Sequence, residues 1–223
     1  MSRKPRTKRQ LRRGKGRRAP RSCVLIVCEG GKTEPQYFRS LCKSLRLQPV
    51  EVEIIGDECG SDPVSVVQEA IKRRKERSKG ARKSGVQVPY DEAWCVLDVE
   101  KFGRNRQLPQ ALDMATQNRI TLALSNPCFE FWILLHFERV GSSFQDCQQV
   151  IRKLRGHLPG YQKGDPDVFQ QIAGRLDNAV SHAEHIMKTQ WQHETDVCRK
   201  DPSSEVYLLV QLLQQIAEKP YDR

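Results

Sequence analysis

Residues 24–35 read VLIVCEGGKTEP. The run Val24-Leu25-Ile26-Val27-Cys28 is apolar without alternation, the pattern of a strand covered on both faces in a parallel sheet. The glycines and Lys32-Thr33 that follow invite comparison with the phosphate-cradling loop GxxxxGK(S/T), whose wide arc of backbone N–H groups wraps a triphosphate. In that motif the leading glycine would fall at Ile26, inside the strand, so the loop is too short. What the turn carries instead is an acid, Glu29, at the end of a buried strand and beside Gly30, Gly31 and Lys32. Thr33, with Gln36 three residues on and Pro35 tolerated in a first turn, is expected to cap a helix over 34–46. Strand, tight turn and helix open a βαβ unit.

The pattern then repeats. A strand over 50–55 and a glycine-containing loop lead to Ser61 or Asp62 as the cap of a helix over 63–78. A third apolar strand over 93–97 runs straight into Asp98-Val99-Glu100, and a loop with Gly103 and Arg104 precedes a helix over 108–118. A strand over 120–124 is followed by Ser125-Asn126-Pro127, read as the cap of an apolar helix over 128–137 with Glu130 in its first turn. Successive β-to-α units argue for a parallel four-stranded α/β sheet flanked by helices. Beyond Glu138 the pattern is helical, over 144–154, 167–189 and 203–217, an elaboration packed on the sheet. The expected division is a basic arm 1–21, an α/β core 22–140 and a helical elaboration 141–223.

Charge is concentrated at one end. Eleven of the 38 basic residues and no acid fall within residues 1–21, so the net charge of +11 belongs to that arm and the remainder is formally neutral. With its glycines and prolines the arm cannot bury apolar surface; it is expected to be disordered when free and to clamp nucleic acid in a salt-sensitive manner. A second basic cluster, Lys72, Arg73, Arg74, Lys75, Arg77, Arg82 and Lys83, sits on the second helix and its exit, and with Arg104 is the expected nucleic-acid-binding face; a solvated helix face explains it equally well. No apolar run approaches a membrane span, and the basic N-terminus has no apolar signal core, so a cytoplasmic protein without membrane contact is expected. The eight cysteines show no CxxC pair and are expected to be buried free thiols; His182, His185, His193 and Cys198 match no familiar metal spacing.

In an open parallel sheet, ligands bind outside the carboxyl ends of the strands. Glu29, Asp98, Glu100 and Glu130 all fall there if the strands are parallel. Each alone is explained by a helix cap or by the macrodipole; together they form a carboxylate cluster that repels itself unless a cation is present, the chemistry of a Mg²⁺ or Mn²⁺ site. Such an ion polarises a phosphodiester and activates an attacking water. Glu29, Asp98, Glu100 and Lys32 are therefore the candidate catalytic residues, with Glu130 as a further ligand.

An acid–glycine turn after the first strand and an acidic pair after a later one resemble the Toprim domain. More specifically, VLIVCEGGKTEPQYF (24–38), VLDVE (96–100), SNPCFEFWILLHF (125–137) and DPSSEVYLLVQLL (201–213) resemble the RloB-like family. The resemblance implies a Toprim-like metal-dependent nuclease of restriction and phage abortive-infection loci, acting on RNA or DNA, often beside an ATPase partner. It maps Glu29, Asp98 and Glu100 to the family's acidic positions and Asn126, Pro127 and Glu130 to its NPxFE-like segment. The chain departs from the full DxDxD pattern, with Glu100 in the second place and Phe102 in the third. A non-catalytic nucleotide- or nucleic-acid-binding subunit of an ATPase complex is the competing expectation.

Overall fold

The computed structural model describes residues 22–48, 51–56, 60, 62–84, 87–99 and 107–219. The basic arm, Cys59, Glu100 and Arg104 lie outside the described residues, and the readings that fall on them rest on sequence alone.

The apolar run forms β1 (Val24–Cys28), followed by α1 (Thr33–Ser44), β2 (Val52–Ile55), α2 (Pro63–Ser84), β3 (Glu92–Asp98), α3 (Gln107–Gln117), β4 (Thr121–Asn126) and α4 (Phe129–Leu134). The chain continues through α5 (Cys147–Arg155), α6 (Val168–Ile172), a 3₁₀ turn at Ala173–Arg175, and α7 (Leu176–Gln190). A second 3₁₀ turn (Val197–Arg199), β5 (Ser203–Ser204) and α8 (Val206–Glu218) follow. Strands β1 to β4 are mutually parallel and are ordered β2-β1-β3-β4, consistent with the expected Toprim-like α/β architecture.

The sheet differs from expectation at one edge. It has five strands, because Ser203 and Ser204, expected to begin the last helix, pair antiparallel with Asn126 and Ser125. Two serines carry no strand periodicity. They are held by tertiary partners: Ser125 Oγ and Ser204 Oγ lie 3.0 Å apart, and Glu205 N–H donates to the Leu124 carbonyl at 2.8 Å.

Both faces of β1 are buried, which is why its sequence does not alternate. Val24, Ile26 and Cys28 join one hydrophobic cluster with Tyr37, Phe38, Phe129, Trp132 and residues of α5 to α8. Leu25 and Val27 join the other, against Val66, Val67 and Ala70 of α2 and Leu108, Ala111 and Ala115 of α3. The first cluster runs without a break from β1 to Ile216, so the C-terminal helices complete the core of the sheet.

Two expected caps are replaced, each by a contact that sequence spacing does not show. Lys32, not Thr33, occupies the N-cap of α1, and the Thr33 hydroxyl accepts a bond from Gly164 N–H at 2.9 Å. Ser125 and Asn126 belong to β4, so Cys128 takes the N-cap of α4 and the capping carboxylate comes from Asp98. At α2, Asp62 is the cap, accepting from Ser65 N–H at 2.9 Å.

The cysteine expectation is corrected in part. Cys128 and Cys147 form a disulfide, made possible by the packing of α4 against α5; Cys23, Cys28, Cys42, Cys95 and Cys198 carry thiols, the first four buried. Among the described residues no helix is long and apolar enough to cross a membrane.

Candidate active site

The carboxyl ends of β1, β3 and β4 meet the N-termini of α1 and α4 around a pocket of about 220 Å³. Gly30, Gly31, Lys32, Thr33 and Glu34 line it from the first turn and the start of α1, Asp98 from the end of β3, Glu130 from the first turn of α4, and Lys163 and Gly164 from the loop before α6.

Asp98, the last residue of β3, is 6 % exposed. Its Oδ1 accepts the Phe129 N–H at 2.8 Å, so one carboxylate both faces the pocket and satisfies the start of α4. Glu29 is not among the lining residues. Its side chain is buried, and Oε2 accepts the Asp98 backbone N–H at 3.1 Å, linking the end of β1 to that of β3.

Glu130 faces the pocket from the first turn of α4 and is anchored by residues the sequence reading missed. Oε1 accepts from the Tyr161 hydroxyl at 3.1 Å, and Oε2 lies 3.3 Å from Lys163 Nζ. Burial, and then the carboxylates of Glu130, Glu34 and Asp165, push the Tyr161 hydroxyl pKa well up, so Tyr161 stays a neutral donor to Glu130.

Glu34 is the other lining acid the sequence reading passed over, although it stands within the opening stretch. It is buried in the first turn of α1, and its carboxylate occupies the space beside Gly30 into which a Cβ would project. An acid at that place reads from sequence as an ordinary first-turn residue. Lys163 and Gly164 left no signal at all, being about 130 positions from the turn they cover. Gly164 has φ +80, and a Cβ there would lie 3.2 Å from the Lys32 side chain, so glycine allows the loop to close over Lys32.

The pocket therefore brings three carboxylates together with Lys32 and Lys163, and Glu29 is joined to it through the Asp98 backbone. All the acidic donors are oxygens, the chemistry that suits Mg²⁺ or Mn²⁺. They do not close into an all-protein cage. Among the described residues the group of three potential ligand atoms within 4.8 Å of one another is Cys128, Glu130 and Cys147, whose sulfurs are spent in the disulfide. A hydrated Mg²⁺ fits better: it takes one or two carboxylates and keeps several waters, and 220 Å³ holds roughly seven waters at about 30 Å³ each.

The basic cluster lies at the other end of the sheet. α2 starts at the carboxyl edge and runs back, so Arg77 reaches Val88 O (2.7 Å) and Cys23, ahead of β3 and β1, while Arg74 reaches Asn118 O and Arg119 O (both 2.9 Å), ahead of β4. Part of the cluster is structural. Lys72 pairs with Glu69, Arg73 with Glu69 and Glu53, and Arg77 with Glu53 while lying 4.2 Å over the Tyr90 ring.

An α/β sheet with an acidic pocket at the carboxyl edge of its parallel strands is consistent with a Toprim-like fold. A family model for RloB-like proteins matches residues 24–213. The chain belongs to the RloB-like family, which is associated with defence loci. No curated protein and no solved structure matches it. Two segments that carried the resemblance, 125–137 and 201–213, meet through the β4–β5 pairing.

Proposed function

We propose that the chain is a metal-dependent nuclease, hydrolysing a phosphodiester of RNA or DNA in the cytoplasm as an effector of anti-phage defence. The observation that carries this reading is the convergence of Glu34, Asp98 and Glu130, with Lys32 and Lys163, on one pocket. A bound Mg²⁺ or Mn²⁺ would supply charge neutralisation and a more acidic water. Asp98 and Glu130 would hold it, with Glu100 adjoining in sequence. Glu29 acts through Asp98, fixing the backbone from which that carboxylate projects. Glu34 faces the pocket and would take the proton of the attacking water, while Lys32 or Lys163 balances charge on the phosphate oxygens. With no phosphate loop in its sequence, the chain would draw any ATP dependence from a partner ATPase.

The test is incubation of labelled RNA and DNA with the protein in Mg²⁺, Mn²⁺ or EDTA, beside Asp98→Asn and Glu34→Gln. Metal-dependent cleavage that both substitutions abolish is expected. Cleavage that survives Asp98→Asn would overturn the site. One observation favours the alternative of a non-catalytic binding subunit: Asp98 and Glu29 already serve backbone donors, at Phe129 and Asp98. That alternative gains if no cleavage occurs with the partner present and defence survives Asp98→Asn.

A further inference from the structure

Where the ends of α2 and α3 diverge at the amino edge of the sheet, a groove of about 550 Å³ is lined by Ile71, Arg74, Lys75, Ser78, Lys79, Arg82, Gln117, Asn118 and Arg119. Its lining holds five cations, no carboxylate and no aromatic ring. Among the described residues, Lys75, Lys79 and Arg82 are exposed and form no ion pair, in contrast to Lys72, Arg73 and Arg77. Arg74 accounts for the shape of the groove. Its guanidinium binds the Asn118 and Arg119 carbonyls, offsetting the negative end of α3 and tying that wall to α2.

The spacing of the cations points to a ligand. Lys75, Lys79 and Arg82 are four and three residues apart, so they share one helix face over about 10 Å at 1.5 Å per residue. At about 3.4 Å of rise per nucleotide, that length spans roughly three nucleotide steps of one strand, room for each of the three cations to meet its own phosphate. Without an aromatic ring or an acid the groove offers a base neither stacking nor a hydrogen-bond acceptor side chain other than Ser, Gln and Asn, so it reads the backbone.

We propose that this groove is a second site on the chain, seating about three consecutive phosphates of a nucleic-acid strand independently of metal and of cleavage. It lies toward the amino edge of the sheet, whereas the carboxylate pocket lies at the carboxyl edge. The inference rests on the proposed nuclease reading for the identity of the polyanion, and on nothing in its chemistry.

The test is fluorescence anisotropy of the full chain with labelled single-stranded RNA and DNA in EDTA across a salt series. Replacing Lys75, Lys79 and Arg82 together by Gln is expected to weaken binding and to lower the slope of log K against log salt by about 2, for three contacts at about 0.7 each. All variants are expected to keep the wild-type circular dichroism and melting curve. A control triple of equal charge loss, Lys43→Gln, Arg46→Gln and Lys188→Gln, is expected to have little effect. An unchanged slope in the groove triple, or an equal loss in the control, would overturn the proposal. So would complete competition by inorganic tripolyphosphate together with an affinity that does not rise with strand length, because the ligand would then be a small polyphosphate. Retained EDTA binding without cleavage under any metal condition would defeat the nuclease reading and leave the groove standing.

Discussion

Asp98 has two tasks that substitution can separate. Asparagine keeps an oxygen able to accept the Phe129 N–H but removes the charge a cation needs, whereas alanine loses both. Asp98→Asn is expected to unfold in urea near the wild-type midpoint while losing the cleavage proposed above, and Asp98→Ala to lose about 1–3 kcal/mol for the buried N–H left unsatisfied. His136 gives a pH signature. It is fully buried, with Nε2 3.4 Å from the Tyr37 hydroxyl and Nδ1 3.1 Å from the Trp132 carbonyl. Burial above all lowers its pKa from 6.5 to about 4. A group depressed in the folded state gives stability that is complete above the unfolded value and is lost as pH falls toward the folded one. Between pH 6.5 and 5 unfolding free energy is therefore expected to drop by roughly 1 kcal/mol per pH unit, steepening as the pH falls, and His136→Gln to flatten that slope. A flat wild-type profile in urea titrations would contradict it. Carboxylates with lowered pKa, such as Glu69 and Glu138, act below this window.

At the scale of elements, α2 shows why a basic run cannot be judged by composition. Its cations differ in what they touch: Arg77 is held by Glu53, Val88 O and the Tyr90 ring, with its side chain only 11 % exposed, while Lys75 stands in solvent. Arg77→Ala is expected to cost on the order of 2 kcal/mol in chemical denaturation, and Lys75→Ala less than about 0.5 kcal/mol. Equal effects would mean that the ion-pair network contributes nothing. The elements themselves were largely legible, because the strands buried on both faces have continuous apolar runs and their helices have clear starts. The caps were less so. Thr33 has the local chemistry of a cap, yet its hydroxyl goes to Gly164, and α4 takes its capping oxygen from β3, because tertiary partners compete with local ones.

For the whole molecule, the unbroken cluster from β1 to Ile216 makes the sheet and the C-terminal helices cooperative. Leu213, fully buried in α8, is expected to cost about 2–5 kcal/mol when replaced by alanine, although it does not line the pocket. A chain ended at residue 140 would leave Phe131, Trp132 and Leu134 without the helices that cover them and is expected to show no cooperative thermal transition. A cooperative melt of that fragment would show the α/β part to be self-sufficient.

The sequence alone determined the parallel β-α order and the family, because both are written in contiguous segments: apolar runs, glycine turns and strand-end acids. It also placed Glu29, Asp98 and Glu130 at one edge of the sheet, since parallel strands share a direction. Tertiary structure decided which acids face the pocket. Glu29 turned to a backbone donor, Glu34 came forward, and Tyr161, Lys163 and Gly164 closed over the site from a distant loop. It also sent the basic groove to the opposite end, because a helix that follows a parallel strand must run back along the sheet. Such pairings depend on where long-separated segments pack, which no local pattern encodes.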